Sequence, residues 1–200
     1  MLTAVSNTIH MKKLVLPLLS LLMLGCGDDT LPKPKGYLRL EYPNAVYEKA
    51  IVPLPFSFDK NKLADPIKTV KSSGNTNGID IKYSSLKATI YLTYKAVKND
   101  NIDSLLRDAQ NLTQKHTIKA DEISQKEFLR PNDNVFGMLY EIGGNAASQS
   151  QFYVTDSTKH FLSGSLYFYA KPNYDSIYPA SEYLKKDIKR IMESVQWKNE

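Results

Sequence analysis

Gln151-Phe152-Tyr153-Val154-Thr155-Asp156-Ser157-Thr158-Lys159-His160-Phe161 is the stretch on which the reading of the fold turns. Aromatic and β-branched residues lead into the turn formers Asp156-Ser157-Thr158-Lys159 and resume from Phe161 to Ala170. Two strand-type runs separated by a short polar turn predict an antiparallel hairpin, Gln149 to Val154 paired with Phe161 to Ala170. Upstream, Val135 to Ile142 is a further strand with Phe136, Met138, Tyr140 and Ile142 on one face, reached through the turn Pro131-Asn132-Asp133-Asn134. Downstream, Leu184, Ile188, Ile191, Met192 and Val195 recur at helical spacing and predict a helix from Ala180 to Val195, with Lys185, Lys186, Lys189 and Arg190 mostly on the opposite, solvated face.

The first half of the chain repeats the order. Tyr37 to Tyr42 reads as a strand ending at Pro43, and Pro55-Phe56-Ser57-Phe58-Asp59 as a short segment with both phenylalanines on one side. Ser72 to Gly78 is a turn-rich loop. Ile79 to Tyr83 alternates with period two, and Ala88, Ile90, Leu92 and Tyr94 alternate with Thr89, Tyr91 and Thr93. Ile102, Leu105, Leu106, Ala109 and Leu112 then mark a helix that Asp100 or Asn101 can cap, closing at Lys115 and His116. Ile118 to Leu129 reads as an extended stretch feeding the next strand. Strands, helix, strands, helix imply an α+β fold, an antiparallel or mixed sheet with packed helices. The order resembles the PsbP/Mog1-like layer architecture, in which a terminal helix follows a long hairpin.

The N-terminus has another purpose. Lys12 and Lys13 precede the apolar run Leu14 to Leu24, which is far shorter than the roughly 20 apolar residues of a spanning helix. Met23-Leu24-Gly25-Cys26 looks like a lipobox, so residues 1–25 are a signal peptide and Cys26, the only cysteine, is the lipidation site. Two or three acyl chains such as palmitate anchor a protein stably to a membrane. Residues 26–36 form the lipidated N-terminus and a tether stiffened by Pro32 and Pro34, and residues 37–200 one α+β domain. Removing Lys12 and Lys13 with the leader lowers the formal net charge from +5 to +3, too mild for nucleic acid.

No catalytic signature appears. His116 and His160 are the two histidines left after the leader and read as surface or capping residues, not ligands, so neither a metal nor a cofactor is expected. Gly164-Ser165 lacks the hydrolase elbow and Gly143-Gly144-Asn145 reads as a turn. Asp121 and Glu122 are adjacent on an extended segment and point apart. Ser176, in Asp175-Ser176-Ile177, is a candidate O-glycosylation acceptor in a loop.

Leu31-Pro32-Lys33-Pro34-Lys35-Gly36-Tyr37-Leu38-Arg39-Leu40-Glu41-Tyr42-Pro43 after a lipid cysteine, with Ala88 to Lys95, Gln151 to Phe161 and Leu166 to Asn173, resembles the gliding motility lipoprotein GldD of Bacteroidetes along essentially the whole mature chain. The resemblance implies a role in gliding and in the associated type IX secretion machinery of the cell envelope, at the outer membrane. It implies non-enzymatic action by binding or stabilising other envelope lipoproteins. The candidate partner surface is the hairpin tip Asp156, Ser157, Thr158, Lys159 and His160. The alternative is a ligand-binding lipoprotein whose concave sheet has a pocket lined by Tyr91, Tyr140, Tyr153 and Tyr167.

Overall fold

A computed structural model describes residues 36, 39–67, 70–74, 76–98, 101–115, 119–170 and 173–198. The elements below all belong to the unit Tyr37–Glu200. Cys26 and His116 lie outside the described residues.

Among the described residues, ten strands form two antiparallel sheets. β1 (Tyr47–Ala50), β2 (Phe56–Asn61) and β10 (Gln196–Trp197) make the small sheet, in the order β1-β2-β10. The large sheet runs β3 (Lys71–Ser73), β4 (Thr76–Tyr83), β5 (Ala88–Ala96), β9 (His160–Phe168), β8 (Ser148–Thr155), β7 (Val135–Gly144), β6 (Ala120–Arg130). Helix α1 (Ile102–Gln114) follows β5, and α2 (Tyr174–Ser194) follows β9. The architecture is α+β, and the predicted hairpin is present as β8 and β9, with Val154 opposite Leu162 and Phe152 opposite Gly164.

Register sorts the large sheet into two faces. Ile79, Ile81 and Tyr83 of β4, Ile90, Leu92 and Tyr94 of β5, Leu162 and Leu166 of β9, and Phe152 and Val154 of β8 share one face and are buried. Phe56 and Phe58 of the small sheet and the α2 stripe Leu184, Ile188, Ile191 and Met192 pack on that face as one core. Each such side chain contributes about 1.5–3 kcal/mol when fully buried. The α2 stripe is wholly buried, whereas α1 buries only Leu105 and Thr113 and leaves Leu112 40 % exposed. So α2 secures the core, and α1 lies lightly on the opposite face.

Four sequence expectations change. Arg39 to Tyr42 forms no strand; this segment lies along α2, Tyr42 against Tyr183 with ring centroids 5.1 Å apart, and gains no ladder partner. The Ser72–Gly78 loop is a small hairpin of β3 and β4 around Gly74, whose φ of +58° suits glycine. Asn101 does not cap α1; its side-chain oxygen instead accepts the Lys98 N–H at 2.9 Å. Helix α2 begins at Tyr174, ahead of the expected start at Ala180, and runs through Pro179. Asn145, from the β7–β8 turn, accepts the Tyr174 N–H at 2.9 Å and holds the extra turns against the sheet.

One polar cluster ties these layers together. Asp187 of α2 is 1 % exposed. Its carboxylate accepts from Tyr47 Oη at 2.7 Å, from Asn61 Nδ2 at 3.0 and 3.1 Å, and from the Tyr83 hydroxyl. Burial raises its pKa against the opposing pull of those hydrogen bonds. An acid whose folded pKa is raised contributes stability that is complete below the unfolded value and is lost as pH rises through the folded one. Asp187→Ala orphans three donors and should cost about 3 kcal/mol in chemical denaturation. Relative to Asp187→Asn, which does not titrate, the wild type should lose stability as pH rises from about 4; a flat difference would assign the pH response elsewhere.

Candidate functional site

The hairpin tip is built by its own side chains. Asp156 Oδ1 accepts the backbone N–H groups of Thr158, Lys159 and His160 at 3.0, 2.8 and 2.8 Å, and Thr158 Oγ1 donates to Asp156 Oδ2 at 3.1 Å. The Ser157 N–H donates to Thr155 Oγ1 at 2.9 Å, and Ser157 sits in the left-handed region at φ 66°. Partial burial pushes the Asp156 carboxyl up, but the three backbone donors outweigh it and hold the pKa below the usual carboxylate value. Ser157, Thr158 and Lys159 are exposed.

His160, grouped with the tip in the sequence reading as a surface residue, is instead buried. Its Nδ1 pairs with the Tyr94 hydroxyl at 2.9 Å, and its ring stacks on Trp197 with centroids 4.9 Å apart and planes at 13°. Trp197 Nε1 donates to the Asn134 carbonyl at 3.0 Å. The physical reason is β10: pairing Trp197 with Phe56 brings the chain's end against the base of the hairpin and covers the imidazole. Sequence reasoning missed Trp197 because two residues after a helix carry no periodicity from which a strand can be read.

Tip, C-terminal strand and the end of β5 enclose an open cleft of about 1020 Å³. Among its charged groups, Lys198 is spent on the carbonyls of Val52 and Leu54 at 3.1 and 2.9 Å, and Asp133 pairs with Arg130. Lys98 and Lys159 have no acidic partner among the described residues, and Asp156 is committed to backbone donors. The cleft therefore presents two ammonium groups, the amides of Asn77 and Asn134, and an indole wall, a surface suited to an acidic or acceptor-rich protein segment. Among the described residues no group of three His, Cys, Asp or Glu could hold a metal ion, and the His160 nitrogen facing Tyr94 is tied to a phenol.

The remaining sequence candidates separate. Tyr91, Tyr140, Tyr153 and Tyr167 do share the α1 face of the sheet, but Tyr140 and Tyr153 line a cavity under α1 while Tyr91 and Tyr167 meet edge-on at 5.8 Å elsewhere on it. The cations of α2 are mostly neutralised: Lys185 with Glu182 at 2.7 Å, Lys189 with Glu193 at 3.8 Å, and Arg190 with Asp59. Ser176 lies in the first turn of α2, not in a loop, and its hydroxyl donates to the Asn173 carbonyl at 2.9 Å. Asp121 and Glu122 are exposed at a register shift in β6.

Because His160 is structural and Lys159 is not, their alanine variants should diverge. His160→Ala removes an aromatic stack and a buried hydrogen bond, and should cost about 1–3 kcal/mol. Lys159→Ala should stay within about 0.5 kcal/mol of wild type in the same denaturation experiment.

A family model described as gliding motility lipoprotein GldD matches residues 27–197. No curated protein and no solved structure matches the chain. With the match spanning nearly the whole sequence, this chain belongs to the family of gliding motility lipoproteins GldD.

Proposed function

We propose that this lipoprotein works at the outer membrane, held by acyl chains on Cys26, and serves gliding and the associated type IX secretion machinery by binding or stabilising other envelope components. The observation that supports this reading best is the cleft at the hairpin tip. It couples a preformed turn to two unneutralised lysines, Lys98 and Lys159, on a frame that the core keeps rigid. A rigid surface with free cations lowers the entropic cost of docking and favours an acidic partner. The domain acts here as a binding module rather than an enzyme. Among the described residues no helix is long and apolar enough to cross a membrane, so attachment through lipid on Cys26 fits the short leader and the proline-stiffened tether.

Two experiments test this. Native full-length protein purified from membranes should bring down other gliding or secretion lipoproteins, and Cys26→Ala should release the chain from the membrane and lose them. A Cys26→Ala form that stays membrane-bound would refute the anchor. In cells carrying it as the sole copy, Lys98→Glu combined with Lys159→Glu should abolish spreading while leaving unfolding within about 1 kcal/mol of wild type, since both side chains are exposed. Normal spreading of that folded variant would remove the cleft from the mechanism.

A further inference from the structure

A second feature lies on the opposite face of the large sheet. Helix α1 bridges the face of β5, β9, β8 and β7 and leaves a cavity of about 190 Å³ beneath it. Gln151 of β8, 3 % exposed, lines this cavity. Its Oε1 accepts from Thr113 Oγ1 of α1 at 2.8 Å, and its Nε2 has no hydrogen-bond partner. Buried amide donors are nearly always satisfied, and one left alone is destabilising. Turning the amide over does not remove the problem. The single Thr113 proton would then go to the Ala109 carbonyl, 3.3 Å away, Nε2 would donate to Thr113, and Oε1 would be the atom left over. In either orientation the amide lacks one partner, and a hydroxyl, both donor and acceptor, satisfies each.

The other walls point to the same chemistry. Ser163 and Ser165 of β9 add two hydroxyls, and Tyr140 and Tyr153 two phenols. Tyr153 and Phe161, rings parallel with centroids 5.6 Å apart at 12°, add flat apolar aromatic surface to the lining, the usual make-up of a ligand site. The one charged pair at the site, Lys95 with Asp108 at 3.8 Å, neutralises itself, so an ionic ligand gains nothing. A peptide has no edge to join, because β5, β9, β8 and β7 are interior strands paired on both sides. The volume is several times the roughly 30 Å³ of one liquid water and below the 300 Å³ of ordinary ligand pockets, which limits the occupant to one small ring.

We propose that the cleft between α1 and the sheet is a binding site for a neutral sugar unit of monosaccharide size, held by a sugar hydroxyl hydrogen-bonded to the Gln151 amide and by ring contact with Tyr153. The site stands apart from the tip cleft, and its test does not depend on the partner-docking reading. The probes are glucose, galactose, mannose, fucose and N-acetylglucosamine, each offered to the full lipid-anchored chain in phospholipid nanodiscs and read by saturation-transfer NMR. At least one should receive saturation on its ring protons. Gln151→Met should weaken that sugar about tenfold or more. Its unfolding midpoint should hold or rise, because a buried amide with an unpartnered nitrogen is replaced by an apolar chain of similar volume while Thr113 keeps the Ala109 carbonyl as acceptor. The exchange of Ser163 and Ser165 together for alanine should also weaken binding, and it keeps the test informative if Gln151→Met does not fold. No saturation of any sugar up to about 50 mM, far above a millimolar Kd, overturns the proposal and leaves the cavity to water. Equal affinity in a folded Gln151→Met overturns it as well.

Discussion

The carboxylate of Asp187 is the constraint on which the rest of the domain depends. It belongs to α2, yet its donors come from β1, β2 and β4, so one buried carboxyl group joins the helix to both sheets. Hydrophobic burial alone is non-directional and would allow α2 to slide along its groove. A desolvated carboxyl group cannot move without leaving hydrogen bonds unmade, and that cost fixes how far the helix runs along the sheet. Around it, Arg190 pairs with Asp59 and lies over the Tyr47 ring at 5.5 Å, which holds the small sheet at the same level.

With α2 held, the chain's end has a defined place. Val195 closes the core and β10 pairs beside β2, which delivers Trp197 to His160 and the base of the hairpin. The tip cleft is therefore not an independent loop. Its inner wall is made by the last strand, whose position is set by the helix before it. A partner meeting Ser157, Thr158 and Lys159 would press on a surface backed by the core, which lowers the entropic cost of docking.

The opposite face is organised on weaker terms. Helix α1 gives the sheet one fully buried leucine and shares a polar contact, Thr113 to Gln151, where a well-packed helix would place another apolar side chain. Polar groups retained under a helix reduce stability, and a protein keeps such a compromise where another use offsets it. The two faces thus divide the work: one carries the core that makes the domain stand without a disulfide, the other carries the cavity.

How far this was legible from residues alone follows from period and distance. The hairpin, the β5 alternation, the α2 stripe and the α+β order were readable because period-two and period-3.6 patterns are local. So was the family, through matches spread along the chain. The C-terminal strand, the turns of α2 before Pro179, and the passage of Arg39 to Tyr42 across a helix were not. Each is settled by a partner far away in sequence: Phe56 for Trp197, Asn145 for Tyr174, Tyr183 for Tyr42. Gly137 shows the same limit, since only the close approach of the Tyr153 carbonyl reveals why no side chain fits there. His160 looked like a tip residue and is buried, and Gln151, a strand residue as expected, carries a buried amide nitrogen with no partner in a cavity. By itself the sequence determined the α+β order, the hairpin, the α2 stripe and the family, all written in neighbours along the chain. Only the tertiary structure decided which polar residues lost their water and which kept it, because burial is a property of what packs on a residue from elsewhere.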